Sequence, residues 1–300
     1  MEVVDAAALF ARVPWVDAID AVEAALLSGV ASAPPRTAVP VTGGELLLMP
    51  AEAADVVGVK VTSVAPGNPA VGAPRVQAAY VLMDAATLTP RALVDGTALT
   101  TLRTPAVSAV AVRRLALPAA RRLLVVGAGP QAWGHVHALS AVRTFEDVVV
   151  VSRSTAAALV GRLVAEGVPA RAGSLRDLPG ADVVACATTA VAPVLDGSLV
   201  ADHACVVAVG SHSPDARELD DGLLARASVV VVESRDVALR EAGDVVMAIA
   251  GGALAVEDLV ELEDLVRCPA PDRRGPSVVK TVGAGWQDLA VARRALSARA

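Results

Sequence analysis

LLVVGAGPQA, residues 123–132, is the stretch of sequence that decides the fold. Four apolar residues predict a buried strand, and the G-x-G-x-x-A pattern after them predicts a tight turn into a helix. Gly127 permits the turn, Gly129 lets the backbone approach a pyrophosphate, and the small side chain of Ala132 lets helix and strand pack closely. Free N–H groups and the dipole at the helix N-terminus favour the phosphates. The stretch therefore predicts a site for a dinucleotide.

The sequence that follows supplies the context that this motif requires. A helical segment, QAWGHVHALSAV, leads to a strand, DVVVVSRS, and then to another helical segment, TAAALVGRLVAEG. Further apolar runs follow at ADVVACATT, ACVVAVGS and ASVVVVES. Short valine-rich runs that alternate with helical segments are typical of a parallel sheet covered on both faces. We therefore expect an α/β fold with a Rossmann domain.

The end of the second strand distinguishes between the two nicotinamide dinucleotides. An Asp or Glu there would bind the ribose 2′-OH of NAD, but this chain has Ser152, Arg153 and Ser154 instead. Arginine can pair with a 2′-phosphate, and the serines can donate hydrogen bonds to it. We therefore expect NADPH as the cofactor, with NADH as the less favoured alternative.

Residues outside this region predict a second domain of helices and sheet. Its strands are separated by Gly, Pro and Asn, which favours an antiparallel or mixed sheet. We expect a helix over 1–30, a sheet over 37–84, a helix over 106–117 and a last helix from Trp286. The domains expected are 1–105 with 286–300, and the Rossmann domain over 106–285.

Composition excludes several classes of protein. The net charge is −6 and no basic stripe is present, unlike a sequence-independent nucleic-acid binder. No run of about 18 apolar residues could cross a membrane, and MEVVDAAALF lacks the order of a signal peptide. Cys186, Cys205 and Cys268 have no metal-ligand spacing. We expect no metal, and we expect all three to be reduced core cysteines of a cytoplasmic protein.

Lysine is rare in this chain. Only Lys60 and Lys280 occur among 26 basic residues. Lysine offers a compact ammonium whose pKa burial can shift, which arginine does not. The apolar neighbours of Lys60 in GVKV fit a partly desolvated ammonium with a lowered pKa. A chance remainder and a charge at a strand edge are the alternatives.

Together these motifs resemble the ornithine cyclodeaminase/mu-crystallin family over nearly the whole chain. The resemblance implies a homodimer in which the split first domain binds substrate and dimerises. It is specific to the family, not to one activity. The matching stretches are Pro35-Arg36, Met49-Pro50, residues 58–61, Asp95-Gly96, Leu99-Thr100, Arg103-Thr104, residues 127–132, Thr188-Thr189, Pro193, residues 210–221, Val282-Gly283 and residues 287–290.

Members of this family act on the C=N bond of an α-imino acid through hydride transfer with a nicotinamide. The resemblance implies that Arg36 and Arg103 clamp the substrate carboxylate, and that Lys60 contacts it or assists proton transfer. Surface salt bridges are the alternative for the arginines. The cofactor-binding residues expected are Thr104, Gly127, Gly129, Pro130, Gln131, Ser152, Arg153, Ser154, Thr188, Thr189, Gly210 and Val282.

His212 departs from the pattern of the cyclodeaminases and of the archaeal-type alanine dehydrogenases, which have a catalytic aspartate at this position. The stretch resembles the mu-crystallin branch, which implies an NADPH-dependent reductase of small α-imino acids such as pyrroline-2-carboxylate or piperideine-2-carboxylate. His212 is then a candidate proton source, or a histidine at the pocket mouth. An amino-acid dehydrogenase, an ornithine or lysine cyclodeaminase and a non-catalytic binding protein are the alternative functions.

Four further residues have expected roles beside these candidates. His135 and His137 diverge on their helix, so both are expected to be structural. Lys280 is expected to serve structure or the nicotinamide end. Asp288 opens the last helix, where it either stabilises the helix start or, as the resemblance implies, lies near the active site.

Overall fold

The computed structural model describes residues 1–29, 34–153, 156–268 and 274–297. It divides into unit 1, Met1–Val107 with Ala284–Ala300, and unit 2, Ser108–Gly283. The sequence placed the corresponding boundaries after residues 105 and 285. None of the helices in the described ranges has the length and apolar character needed to cross a membrane.

The strands and helices follow one another in a mixed order along the chain. The strands are β1 (Glu2–Val4), β2 (Thr37–Val41), β3 (Gly44–Glu52), β4 (Val56–Val64), β5 (Val76–Asp84), β6 (Pro90–Asp95), β7 (Arg122–Val126), β8 (Asp147–Val151), β9 (Ala170–Ala172), β10 (Val183–Cys186), β11 (Cys205–Ala208), β12 (Val229–Val232), β13 (Leu259–Glu261) and β14 (Ser277–Lys280). The helices are α1 (Ala6–Arg12), α2 (Trp15–Leu27), α3 (Gly96–Leu115), α4 (Pro130–Ser140), α5 (Ala157–Ala165), α6 (Asp221–Arg226), α7 (Arg235–Glu241), α8 (Gly243–Ala250), α9 (Leu262–Arg267) and α10 (Gly285–Ser297).

Unit 1 contains a mixed sheet with the strand order β1-β6-β5-β4-β3-β2. β1 pairs with β6 in parallel, and the other neighbours are antiparallel. Along β4 the buried positions alternate at Val56, Gly58, Lys60 and Thr62, which is the period of a strand with one covered face. α10 packs against β3, β4 and α2. The mixed sheet expected over 37–84 is therefore present.

The helix predicted within residues 1–30 is confirmed as α2, but it does not extend over the residues before Trp15. The segment forms β1, α1 and α2, and the side chain of Asp5 caps α1 by accepting from the N–H of Ala8. Pro14 precedes the first residue of α2. Proline has no N–H to continue a helix, so the chain breaks there and restarts.

The helix predicted from residue 106 begins ten residues earlier, at Gly96. Its first turns contain several threonines, which have weak helix propensity. Leu99 and Leu102, three residues apart, are both fully buried. The burial of this apolar face outweighs propensity, and Asp95 accepts a hydrogen bond from the N–H of Ala98 at 2.9 Å to cap the helix.

Unit 2 contains a parallel sheet with the order β13-β12-β14-β11-β10-β7-β8-β9. Every residue of β10, β11, β12 and β14 is buried, as expected of strands covered on both faces. β8 lies on one side of β7 and β10 on the other, so the direction of winding reverses at β7. Such a switch point places a ligand crevice at the carboxyl ends of β7 and β10. The α/β class with a Rossmann domain is confirmed.

Two smaller expectations have different outcomes. His135 is fully buried between the hydroxyl of Ser108 (2.9 Å) and the carbonyl of Gln131 (2.7 Å), and burial lowers its pKa to about 4. It is a neutral structural histidine, as predicted. The core assignment of Cys268 is wrong: the residue is exposed because it follows the last turn of α9, whereas Cys186 and Cys205 are buried.

Candidate functional site

The glycine loop between β7 and α4 has the backbone that the motif predicted. Gly127 has φ = +125°, and a Cβ there would lie 2.4 Å from the carbonyl oxygen of Ala187. Only glycine meets both conditions. A Cβ at Gly129 would have no atom within 4 Å, so the backbone ahead of α4 is open to a ligand. This loop fits a pyrophosphate, because the first N–H groups of α4 have no partner within the helix.

A cleft of ≈ 960 Å³ lies beside this loop, within unit 2. Its volume is at the upper end of the range for small-molecule and cofactor sites, which suits a dinucleotide. Ser152 is half-buried and Arg153 is exposed at the end of β8. The lining residues are Val126 to Gly129, Val151 to Arg153, Leu175 and Ala187 to Val194.

The structure distributes the predicted cofactor residues over several places. Pro130 and Gln131 form the first turn of α4, and Thr104 lies in α3 within unit 1. Gly210 and Val282 follow β11 and β14, and Ser154 is outside the described residues. The cleft itself brings together Gly127, Gly129, Ser152, Arg153, Thr188 and Thr189.

Lys60 forms a buried ion pair in unit 1. β4 lies between β3 and β5, so the strand-edge alternative for Lys60 is wrong. The side chain is 3% exposed, and its Nζ lies 2.8 Å from Oδ2 and 3.0 Å from Oδ1 of Asp288. Nζ also donates to the hydroxyl of Thr100 at 3.3 Å. Asp288 lies in the first turn of α10, so the pair joins that helix to the centre of the sheet.

Arg103 shares the same carboxylate. Its Nε lies 3.2 Å from Oδ1 of Asp288, and its Nη1 donates to Oε1 of Gln287 at 2.5 Å. Asp288 is fully buried and Arg103 is 5% exposed, so a surface salt bridge is the wrong interpretation for Arg103. Two buried cations therefore surround one buried carboxylate, which leaves an excess positive charge suited to an anionic ligand.

Burial lowers the pKa of Lys60 to about 8. This value already includes the charges of Arg103 and Arg36, which also lower the pKa, and Asp288, which raises it through its charge and its hydrogen bond. Arg36 is half-buried and immediately precedes β2. The structure therefore brings Arg36 and Arg103 within electrostatic reach of Lys60. The lowered pKa inferred from the GVKV context is present.

His212 belongs to unit 2, where it is exposed in the segment after β11. Lys280 is buried nearby and its Nζ donates to the carbonyl of Ser211 at 2.7 Å. Sequence reasoning did not identify Glu218, a buried carboxylate that accepts hydrogen bonds from Thr188 and Gly210. The only signal for it was an acidic residue within an otherwise family-like stretch.

The model of the ornithine cyclodeaminase/mu-crystallin family matches residues 4–295. The chain belongs to this family. A relative from Mus musculus, ketimine reductase mu-crystallin, is 33% identical over 87% of this chain and 83% of its own length. Δ1-pyrroline-2-carboxylate reductase from Bacillus cereus is 33% identical over 87% of this chain and 84% of its own length.

A solved structure has nearly the same fold as this chain. Δ1-pyrroline-2-carboxylate reductase from Thermococcus litoralis, in complex with NADH and L-proline, superposes with a TM-score of 0.93 and 29% identity. The match covers 99% of this chain and 97% of that one. This family fold therefore extends through both units.

The ion pair predicts a titration that NMR can measure directly. With ¹³C-labelled lysine, the chain gives two side-chain signals, and Lys60→Met identifies that of Lys60. We expect this signal to titrate with a pKa of about 8. Asp288→Asn should lower the pKa further, because the carboxylate stabilises the charged ammonium.

Asp55→Asn is the control, since Asp55 is an exposed carboxylate of unit 1 that pairs with Arg293. It should leave the titration of Lys60 unchanged. A Lys60 signal with an ordinary lysine pKa near 10.4 would contradict the burial of its ammonium, and one that is unchanged in Asp288→Asn would contradict the ion pair.

Proposed function

We propose that this family member is an NADPH-dependent reductase of small, cyclic α-imino acids of the pyrroline-2-carboxylate or piperideine-2-carboxylate type, with the L-amino acid as product. The observation that carries the proposal is the pair of buried cations, Lys60 and Arg103, around Asp288. A substrate carboxylate offsets their excess charge. The named activities of the mouse and Bacillus cereus relatives support reduction of a C=N bond.

Each group in unit 1 has a distinct chemical task in this proposal. Arg36 and Arg103 hold the carboxylate, which suits the fixed donor geometry of a guanidinium. With a pKa of about 8, Lys60 is mostly protonated at neutral pH and can still release its proton. Nζ of Lys60 then supplies the proton that the imine nitrogen gains on reduction, and Asp288 holds Nζ in place.

The cleft of unit 2 would hold the cofactor. The glycine loop and the first turn of α4 take the pyrophosphate, Arg153 takes the 2′-phosphate, and Thr188 and Thr189 line the other end. When bound, the dihydronicotinamide supplies a hydride to the imine carbon. Oxidoreductase chemistry on a C=N bond needs both this hydride donor and a held imino acid.

His212 separates this reaction from ammonia-releasing alternatives. Cyclodeaminases of the family have an aspartate here, whereas an imidazole has no fixed negative charge to stabilise a cationic imine formed from an amine. A reductase needs only a proton source near nitrogen. His212, exposed after β11, is a second candidate for this source beside Lys60.

A substrate panel tests the reaction. Cyclic ketimines and linear keto acids are offered with NADPH or NADH, with and without ammonia, and cofactor oxidation is followed by absorbance. We expect reduction of a cyclic ketimine without added ammonia, and no ammonia release from ornithine or lysine. Ammonia release would favour a cyclodeaminase, and tight NADPH binding without turnover would favour a binding protein.

The same assay locates the substrate. Arg36→Leu should lower kcat/KM for the ketimine by roughly a hundredfold or more, since losing one partner of a desolvated charge pair costs about 2–5 kcal/mol. NADPH affinity should be retained. Arg293→Leu removes an exposed arginine of the same unit and should have no effect on either quantity. If Arg36→Leu and Arg293→Leu have the same kcat/KM, Arg36 does not hold the substrate carboxylate.

The preference for NADPH predicts an effect of Arg153. Hydrogen bonds to a charged group contribute about 1.5–3 kcal/mol, so NADPH should bind more tightly than NADH by about that amount. Arg153→Ala should narrow the difference and leave NADH affinity nearly unchanged, as measured by nicotinamide fluorescence. Arg122→Ala, a change of exposed arginine at the start of β7, is the control. Because the Thermococcus litoralis relative binds NADH, a wild-type preference for NADH would overturn this assignment.

We also propose that the chain forms a homodimer through the sheet of unit 1. Every residue of the edge strand β2 is exposed, and its Val39 and Val41 are 39% and 46% exposed. Exposed apolar patches of this kind mark protein interfaces.

Analytical ultracentrifugation should give twice the 30.2 kDa of one chain. Val41→Lys should shift the measured mass towards that of the monomer. The control, Val164→Lys on α5 of unit 2, should leave the mass unchanged. A monomeric wild type would contradict the proposed homodimer.

A further inference from the structure

Glu218 joins the ends of two neighbouring strands in unit 2. Its side chain is fully buried in the segment between β11 and α6. Oε1 accepts from the main-chain N–H and from the hydroxyl of Thr188, both at 2.7 Å. Oε2 accepts from the N–H of Gly210, also at 2.7 Å. Thr188 follows β10 and Gly210 follows β11, so one carboxylate fixes both loops.

The main chain at Glu218 is itself fixed by a second, buried charge network. The main-chain N–H groups of Glu218 and Leu219 donate to Oδ1 of Asp244 at 2.7 and 2.8 Å. Oδ2 of Asp244 lies 3.0 Å from Nζ of Lys280, which donates to the carbonyl of Ser211. Both members of this ion pair are fully buried. The loop after β11 is thus held from two directions.

The position of Glu218 relative to the cleft follows from the order of the parallel strands. The glycine loop follows β7, and Arg153 at the end of β8 marks the adenosine side. A dinucleotide bound at this switch point extends its nicotinamide half the other way, over the carboxyl ends of β10 and β11. Thr188, which Glu218 holds, lines the cleft there.

Close packing leaves little freedom around this carboxylate. A Cβ at Gly210 would lie 2.0 Å from the carbonyl oxygen of Thr188 and 2.6 Å from Oε1 of Glu218. The three hydrogen bonds described for the Glu218 side chain all come from donors, and its carboxylate oxygens accept each of them. Any replacement that introduces a donor leaves a buried N–H or O–H opposite another donor.

We propose that Glu218 is a positioning residue, which shapes the nicotinamide half of the cofactor site by fixing the loops after β10 and β11. This inference rests on the proposed function, because it needs a nicotinamide dinucleotide in the cleft. Glu218 does not touch the reacting atoms. It acts through Thr188 and through the loop that begins at Gly210.

Glu218→Gln tests the proposal with almost no change in volume. Its amide NH₂ has to face at least one of the three donors. We expect NADPH affinity to fall at least tenfold, as measured by nicotinamide fluorescence, and kcat for the ketimine to fall with it. Affinity for ADP-ribose, which lacks the nicotinamide, should stay within twofold of wild type by isothermal titration calorimetry.

Glu166→Gln is the matched control. Glu166 also accepts from three side chains, Trp133, His137 and Arg162, but it follows α5 away from the lining of the cleft. It should bind both ligands like the wild type. A general loss of packing at Glu218 would weaken ADP-ribose and NADPH equally, and this result would overturn the positioning role.

Two further results keep the test decisive. If Glu218→Gln does not fold, Thr188→Val removes one of the three hydrogen bonds and should weaken NADPH, but not ADP-ribose, by a smaller factor. Equal NADPH affinity in wild type and variant overturns the inference and leaves the proposed function standing. A wild type that binds neither NADPH nor NADH overturns the proposed function itself.

Discussion

A charge buried away from water has to be paired, and each unit of this chain contains a buried lysine beside a buried aspartate. In unit 1, Lys60 on β4 meets Asp288 on α10. In unit 2, Lys280 at the end of β14 meets Asp244 on α8. Each pair joins a helix to the middle of a sheet, and removing the aspartate would leave the lysine buried without its ion-pair partner. The helices that carry these aspartates therefore have one permitted register against their sheets.

The two pairs differ in what else surrounds them. Arg103 shares Asp288 with Lys60, so positive charge exceeds negative charge around that carboxylate. In the other pair, Asp244 also accepts hydrogen bonds from two main-chain N–H groups. The ammonium of Lys280 donates a further hydrogen bond to the carbonyl of Ser211. The two cations around Asp288 leave an excess positive charge that an anion can offset. The charges around Lys280 are balanced by groups of the chain itself. In the proposed function, the same residue types thus serve substrate recognition in one unit and architecture in the other.

Local pattern was enough to predict the features that depend on neighbours in sequence. The glycine loop, the valine-rich strands and the desolvated Lys60 all follow from a few adjacent residues. The partners of buried charges did not follow, because Asp288 lies 228 residues from Lys60 and the two meet only after the sheet has formed. Glu218 was missed for the same reason. The predicted start of α3 was wrong because the burial of two leucines outweighs the weak helix propensity of the threonines around them. A scale of local propensity does not include this burial.

Both lysines of this chain are buried, Lys60 at 2% and Lys280 at 1% exposure. The sequence contains no other lysine. Reagents that acylate lysine amines therefore find no lysine on the surface of the folded protein. Acylation of Lys280 requires the surrounding sheet to open, so its rate counts opening events, in the way that amide hydrogen exchange does. Because each unit contains one of the two lysines, mass spectrometry of the acylated peptides would separate the opening of unit 2 at Lys280 from access to the proposed substrate site at Lys60 in a single sample.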